Sequence, residues 1–178
     1  MSHSVIAFIT GVNGVGKSSI IPYLTPLLPT ADIHDFDERG VPTNADKNWR
    51  QQETMHWLEL AKQNAKNHIT TIVCGYTKPQ EIHDAAQAAN LEVHVCVLTA
   101  DADILTKRIL SRHQTPESVA ELLRTTGKTV EKFTEDNIYV STKFTSDARD
   151  LEYALLDTSA LTPKQTTQAL VEWLQDGQ

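Results

Sequence analysis

Residues 11–18 read Gly-Val-Asn-Gly-Val-Gly-Lys-Ser, a full match to the pattern G-x-x-x-x-G-K-[ST]. Its flanks constrain the fold further. Val5-Ile-Ala-Phe-Ile-Thr10 is an unbroken apolar run of strand length, and residues 17–28 read as a helix. Strand, glycine loop and helix form a phosphate cradle: glycines let the backbone turn so that successive N–H groups point inward. The helix N-terminus adds partial positive charge. Gly11, Asn13, Gly14, Val15, Gly16, Lys17, Ser18 and Ser19 are therefore the candidate nucleotide-binding set. Lys17 is placed to reach β- and γ-phosphates, and the Ser18 hydroxyl to ligate Mg²⁺. A glycine turn that binds nothing is the plain alternative, and the flanks argue against it.

At 178 residues the chain supports one sizeable core, so a single domain over 1–178 is expected. The formal net charge of −7 speaks against a nucleic-acid partner, which needs a basic surface. There is no run of about eighteen apolar residues, so no membrane partner is expected. Met-Ser-His-Ser leads directly into the first strand without a charged leader, and a cytoplasmic location is expected. Cys74 and Cys96 each sit in an apolar run and read as small buried hydrophobes. The seven histidines show no metal-ligand spacing, and none is assigned a role. Nothing in the sequence sets the oligomeric state.

Strand-like runs at 5–10, 31–36, 70–75, 92–98 and 153–157 alternate with helical stretches at 17–28, 46–67, 79–90, 102–113, 116–136 and 163–175. This alternation predicts an α/β fold with a parallel sheet covered by helices on both faces. Pro79 and Pro163 suit first helical turns, and Thr115-Pro116-Glu117 reads as N-cap, N1 and acidic first turn. Pro22 falls two turns into the first helix, where it should remove a backbone bond or bend the axis. Pro26 and Pro29 are expected to end that helix. Asp101 reads as the N-cap of helix 102–113.

His34-Asp35-Phe36-Asp37-Glu38-Arg39 follows the second strand. Ligands of open α/β sheets bind beyond the carboxyl ends of the strands, the edge that holds the phosphate loop. In extended backbone Asp35 and Asp37 project to one side. One could take the proton of an attacking hydroxyl, and the other could hold the acceptor or Mg²⁺. Arg108 and Arg112 lie one helical turn apart on one face, and guanidinium groups suit a migrating phosphoryl group. Trp49 and Trp57 fall on one stripe of helix 46–67, a pattern that usually marks core.

Taken with the segments Ile72–Tyr76 and Leu156–Ser159, these residues make the chain resemble the small P-loop kinases of the nucleoside monophosphate kinase superfamily, in particular the shikimate and gluconate kinase branch. The resemblance spans nearly the whole chain. It implies a three-layer αβα P-loop NTPase fold with a five-stranded parallel sheet in the order 2-3-1-4-5. It implies ATP and Mg²⁺, with Ser18 and Asp35 on the metal and Lys17, Asp35, Asp37, Arg108 and Arg112 catalytic. It implies a helical lid over about 112–127, with Gly127 a hinge and Arg124 a further lid arginine. An acceptor-binding helical segment is implied at about 38–67, with Asp37, Arg39, Trp49, Arg50, Gly75 and Tyr76 on a small-molecule acceptor. The third strand ends Val73-Cys74-Gly75-Tyr76 without a carboxylate, unlike many ATPases, and lacks the glycine run of shikimate kinases. The expected activity is transfer of the γ-phosphoryl group of ATP to a metabolite or nucleoside hydroxyl, or to a nucleoside monophosphate. A P-loop ATPase or switch acting on a protein partner, and a polynucleotide or toxin-like kinase, are the alternatives.

Overall fold

Strand β1 (Ile6–Thr10) is buried at every position, as an apolar strand covered on both faces must be. The computed structural model describes residues 6–43, 45–147, 151 and 153–176. Val5, the expected first strand residue, and His3 lie outside the described residues. The elements then run α1 (Lys17–Leu27), β2 (Asp32–Asp35), α2 (Lys47–Ala65), β3 (Thr71–Cys74), α3 (Pro79–Ala89) and β4 (His94–Thr99). They continue as α4 (Ala102–Arg112), α5 (Pro116–Thr126), α6 (Val130–Asp147), β5 (Ala154–Asp157) and α7 (Pro163–Asp176).

The five strands form one parallel sheet in the order β2-β3-β1-β4-β5, as the resemblance implies. Burial follows position. The three central strands are almost wholly buried, β2 is half-buried and β5 alternates, because the outer two are the edges. Ile9 pairs with Cys74 on one side and Cys96 on the other, so β1 separates the two thiols. Both are free and buried; burial pushes Cys74 well up and Cys96 up to about 12, leaving them without thiolate character. No helix among the described residues is long and apolar enough to cross a membrane.

Three local expectations change. The helix expected over 116–136 is two helices. α5 opens with a Thr115–Ser118 capping box and closes at Gly127, whose φ of 69° is the left-handed C-cap that glycine adopts most easily. The chain re-enters a helix at Val130 and stays helical to Asp147, eleven residues past the expected end. α1 runs through both Pro22 and Pro26 to Leu27, so Pro26 does not end it. The prolines lie on the exposed side, where the carbonyls they leave unpaired can bond water. Asp101 does hold the N-cap position of α4, but its side chain makes no capping bond; its backbone N–H donates to Ser159 Oγ at 2.7 Å.

Candidate active site

The loop joining β1 to α1 is held through its carbonyls, once by its own lysine and twice by later segments of the chain. Lys17 Nζ donates to Val12 O at 2.8 Å, Arg108 Nη1 to Gly14 O at 3.2 Å, and Thr158 Oγ1 to Val15 O at 3.0 Å. Asn13 N–H donates to Asn137 Oδ1 of α6 at 2.8 Å. These bonds fix three loop carbonyls and the Asn13 amide, and a glycine-rich turn so held can present its other amides to an anion. Gly11 is fixed by space as well as by its φ of 142°, since a Cβ there would lie 2.4 Å from Leu98 O. Asn137 and Thr158 were not singled out from sequence, apart from Thr158's place in the Leu156–Ser159 segment. Their partners are 124 and 143 residues away, beyond any local pattern.

Lys17 lines a small pocket with Gly16, Ser18, Asp35, Asp37, Gly75 and Arg112. Desolvation, opposed by Asp37 and assisted by Arg112, lowers Lys17 to about 8. Arg112 makes no ion pair among the described residues, whereas Arg108 also bonds Thr158 Oγ1 and O at 3.0 and 2.8 Å and so braces the loop. Ser18 Oγ donates to Asp35 Oδ2 at 3.0 Å. A hydroxyl and a carboxylate side by side are the hard oxygen donors Mg²⁺ takes. No cluster of three or more His, Cys, Asp or Glu able to hold a metal occurs among the described residues.

Asp35 and Asp37 face the same pocket, but not because they share an extended strand. β2 stops at Asp35, and Asp37 lies in the turn beyond it. Asp35 Oδ1 accepts the Asp37 N–H at 3.0 Å and folds that turn back toward the loop. Glu38 completes the brace, accepting the Asp35 N–H at 3.1 Å and bonding His34 Nδ1 at 2.7 Å. His34 points to the other side, between Asp32 and Glu38 and 4.8 Å from the Trp57 ring. Partial desolvation, together with the Asp35 carboxylate, raises the Asp37 pKa from its ordinary value.

On one side the small pocket shares Gly14, Gly16 and Arg112 with a cavity of about 270 Å³ bounded by Arg108, Thr158, Leu161 and Pro163. On the other it shares Asn13, Asp37 and Tyr76 with a cavity of about 1020 Å³ walled by Trp49, Arg50, Arg124, Lys128 and Phe133. Of the expected acceptor residues, Asp37, Trp49, Arg50 and Tyr76 line the large cavity and Gly75 the small pocket. Arg39 lines neither; its guanidinium lies 3.1 Å from Glu53. Trp57 is core, and Trp49 is half-buried between Phe36 and the cavity.

Solved structures share this architecture. The chain is similar to a shikimate kinase from Acinetobacter baumannii in complex with shikimate, at 13% identity and a TM-score of 0.65, covering 98% of this chain and 95% of that one. It is similar to a sugar kinase from Janibacter sp. at 16% identity and a TM-score of 0.61, covering 97% and 95%. It is also similar to a thymidylate kinase from Candida albicans at 14% identity and a TM-score of 0.52, covering 99% and 94%. No protein-family model matches the sequence. No curated protein matches it either. The fold is that of the small P-loop kinases.

Proposed function

We propose that this chain is an ATP-dependent phosphotransferase with a small-molecule acceptor. The observation that carries the proposal is the continuity of the three cavities: a compartment beside Arg108 and Thr158, a phosphate-sized pocket at Lys17, and a large cavity meeting it at Asp37. A nucleotide on one side and an acceptor on the other would meet at the pocket between them. A hydrolase acting for a protein partner has no need of the third compartment.

In this reading the base and ribose of ATP lie beside Arg108 and Thr158, and the amides of residues 14–18 hold the phosphates. Lys17 and Arg112 offset charge on the migrating phosphoryl group, and Ser18 and Asp35 hold Mg²⁺. When bound, that ion would neutralise charge shared by the β- and γ-phosphates. Asp37, at the junction with the large cavity, orients the acceptor hydroxyl and accepts its proton. Its raised pKa brings it closer to the working pH, where a general base is most effective. The residues around 112–127 close over the site and exclude water. Such an enzyme works in the ATP-containing cytoplasm.

The test is ADP release from ATP·Mg²⁺ over a panel of nucleosides, nucleoside monophosphates, sugars, sugar acids and aminoglycosides. At least one compound should raise turnover about tenfold over background, equivalent to ~1.4 kcal/mol of barrier. Lys17→Ala should abolish that transfer. A flat response with steady basal hydrolysis would replace this reading with the ATPase or switch alternative.

A further inference from the structure

Phosphotransferases that act on anionic acceptors need cations free to meet the anion. The large cavity has cations, but each is already matched. Arg50 meets Glu81 in a two-point pair, Nε to Oε2 at 2.8 Å and Nη2 to Oε1 at 2.9 Å. Both partners are sequestered, with side-chain exposures of 15% and 6%. Lys128 and Lys132 share Asp136 at 2.7 and 2.8 Å, with Glu135 3.9 Å from Lys132, and Arg124 is held by Glu121 at 2.6 and 3.0 Å. Asp37, the remaining charge on the wall, makes no ion pair among the described residues. The cavity therefore presents an approaching ligand with no uncompensated positive charge and one carboxylate.

The rest of the wall carries aromatic rings beside the polar side chains of Asn13, Thr43, Thr125 and Thr126. Trp49, Tyr76 and Phe133 face the space, with Val41 and Pro42 on its rim. Such rings bury large area at small entropic cost and stack well on planar ligand faces. A volume of about 1020 Å³ is at the upper end for pockets that hold drug-sized ligands, well beyond the need of a six-carbon metabolite.

We infer that the acceptor is an uncharged molecule of nucleoside size or larger, presenting a hydroxyl toward Asp37 and a planar or apolar ring toward Trp49, Tyr76 and Phe133. Acceptors carrying a carboxylate or phosphate are disfavoured, because they would meet Asp37 while Lys17 and Arg112, the cations beside it, are engaged by the phosphates of ATP. Recruiting Arg50 would strip Glu81 of its partner inside the protein, a loss that buried pairs resist. The inference rests on the phosphotransferase reading of this site.

The experiment compares neutral compounds with anionic counterparts on the wild-type protein: thymidine with thymidine 5′-monophosphate, uridine with uridine 5′-monophosphate, and phenyl glucoside with phenyl glucuronide. Binding is read as the change in tryptophan fluorescence that Trp49→Phe removes, with a non-hydrolysable ATP analogue and Mg²⁺ filling the nucleotide compartment. Phosphorylated product is measured in parallel with ATP. In every pair that binds, the neutral member should bind at least tenfold more tightly. A ratio below ten, a preference for the anion, or no binding by any compound overturns the inference. Neutral-selective binding without any phosphorylated product upholds the acceptor class and overturns the kinase reading, so the two failures are distinguishable.

Discussion

Lys17 makes nucleotide binding sensitive to pH in a direction that can be worked out. Its pKa in the free protein is about 8, below the usual lysine value because desolvation opposes the charged form. A bound triphosphate favours that charge and raises the pKa again. Binding at a pH above 8 must therefore draw a proton from solution, and affinity for ATP·Mg²⁺ should fall as pH rises from 8 toward the bound-state value. Calorimetric titrations at pH 8.5 in two buffers of different ionisation enthalpy should show net uptake of a substantial fraction of a proton, since the triphosphate is fully ionised there. Zero uptake would mean that Lys17 does not meet the phosphates. Asp37 is shifted the opposite way for its class: the fold disfavours its ionised form, so it detracts from stability above its raised pKa. Asp37→Asn should lower kcat about a hundredfold or more, the scale of a lost general base. Its thermal midpoint should be equal to or higher than that of the wild type. Unchanged turnover and acceptor affinity would remove Asp37 from the chemistry.

At the scale of elements, two contacts place the wall proposed to meet the acceptor. The end of β3 presses against the turn after β2: a Cβ on Gly75 would lie 2.1 Å from Phe36 Cβ, and Phe36 is fully buried. Gly75→Ala should therefore push apart the two segments that carry Tyr76 and the Asp35–Asp37 turn. A stability loss of about 2–3 kcal/mol in denaturant titration is expected, together with loss of turnover. A near-wild-type midpoint would show that the turn yields freely. The second contact is Arg50–Glu81, which ties α2 to α3. Glu81→Ala strands a sequestered guanidinium and should cost about 3 kcal/mol, while the Arg50→Met/Glu81→Met double variant should recover most of it. These elements also show what a sequence discloses. Strands, phosphate loop and sheet order were legible because apolar runs, glycines and helix starts are local signals. The helix expected over 116–136 ran through Gly127, marked only as a hinge, because the apolar spacing of Leu122, Val130 and Phe133 continues across it. The Asp35–Asp37 juxtaposition was anticipated for the wrong reason, since a side-chain bond and not strand alternation brings them together. The pairing of Arg50 was not legible, because Glu81 is 31 residues away and no periodicity links them.

At the scale of the whole molecule, packing separates α5, the proposed cover, from the sheet and its helices. The sheet and the helices on it share one continuous core. α5 does not belong to it. Leu122 is the one buried residue of α5, and it packs with Ile109, Val130 and Phe133 in a separate small cluster formed where α4, α5 and α6 meet. A segment with so little buried apolar area opens at low free-energy cost. It also carries Arg124 and adjoins Arg112, and the large cavity opens beneath it. Closing such a cover over both substrates adds contacts at each end of the groove, so closure should respond to the pair more strongly than to either alone. Amide exchange tests this. In the free protein, amides of 116–126 should exchange much faster than those of β1, β3 and β4. An ATP analogue with Mg²⁺ should slow them in part, and a bound acceptor should slow them further. The central strands should stay unchanged, because their bonds are already buried. If 112–127 exchanges at one rate in all three states, the segment is no lid, and water must be kept from the phosphoryl group by the acceptor itself.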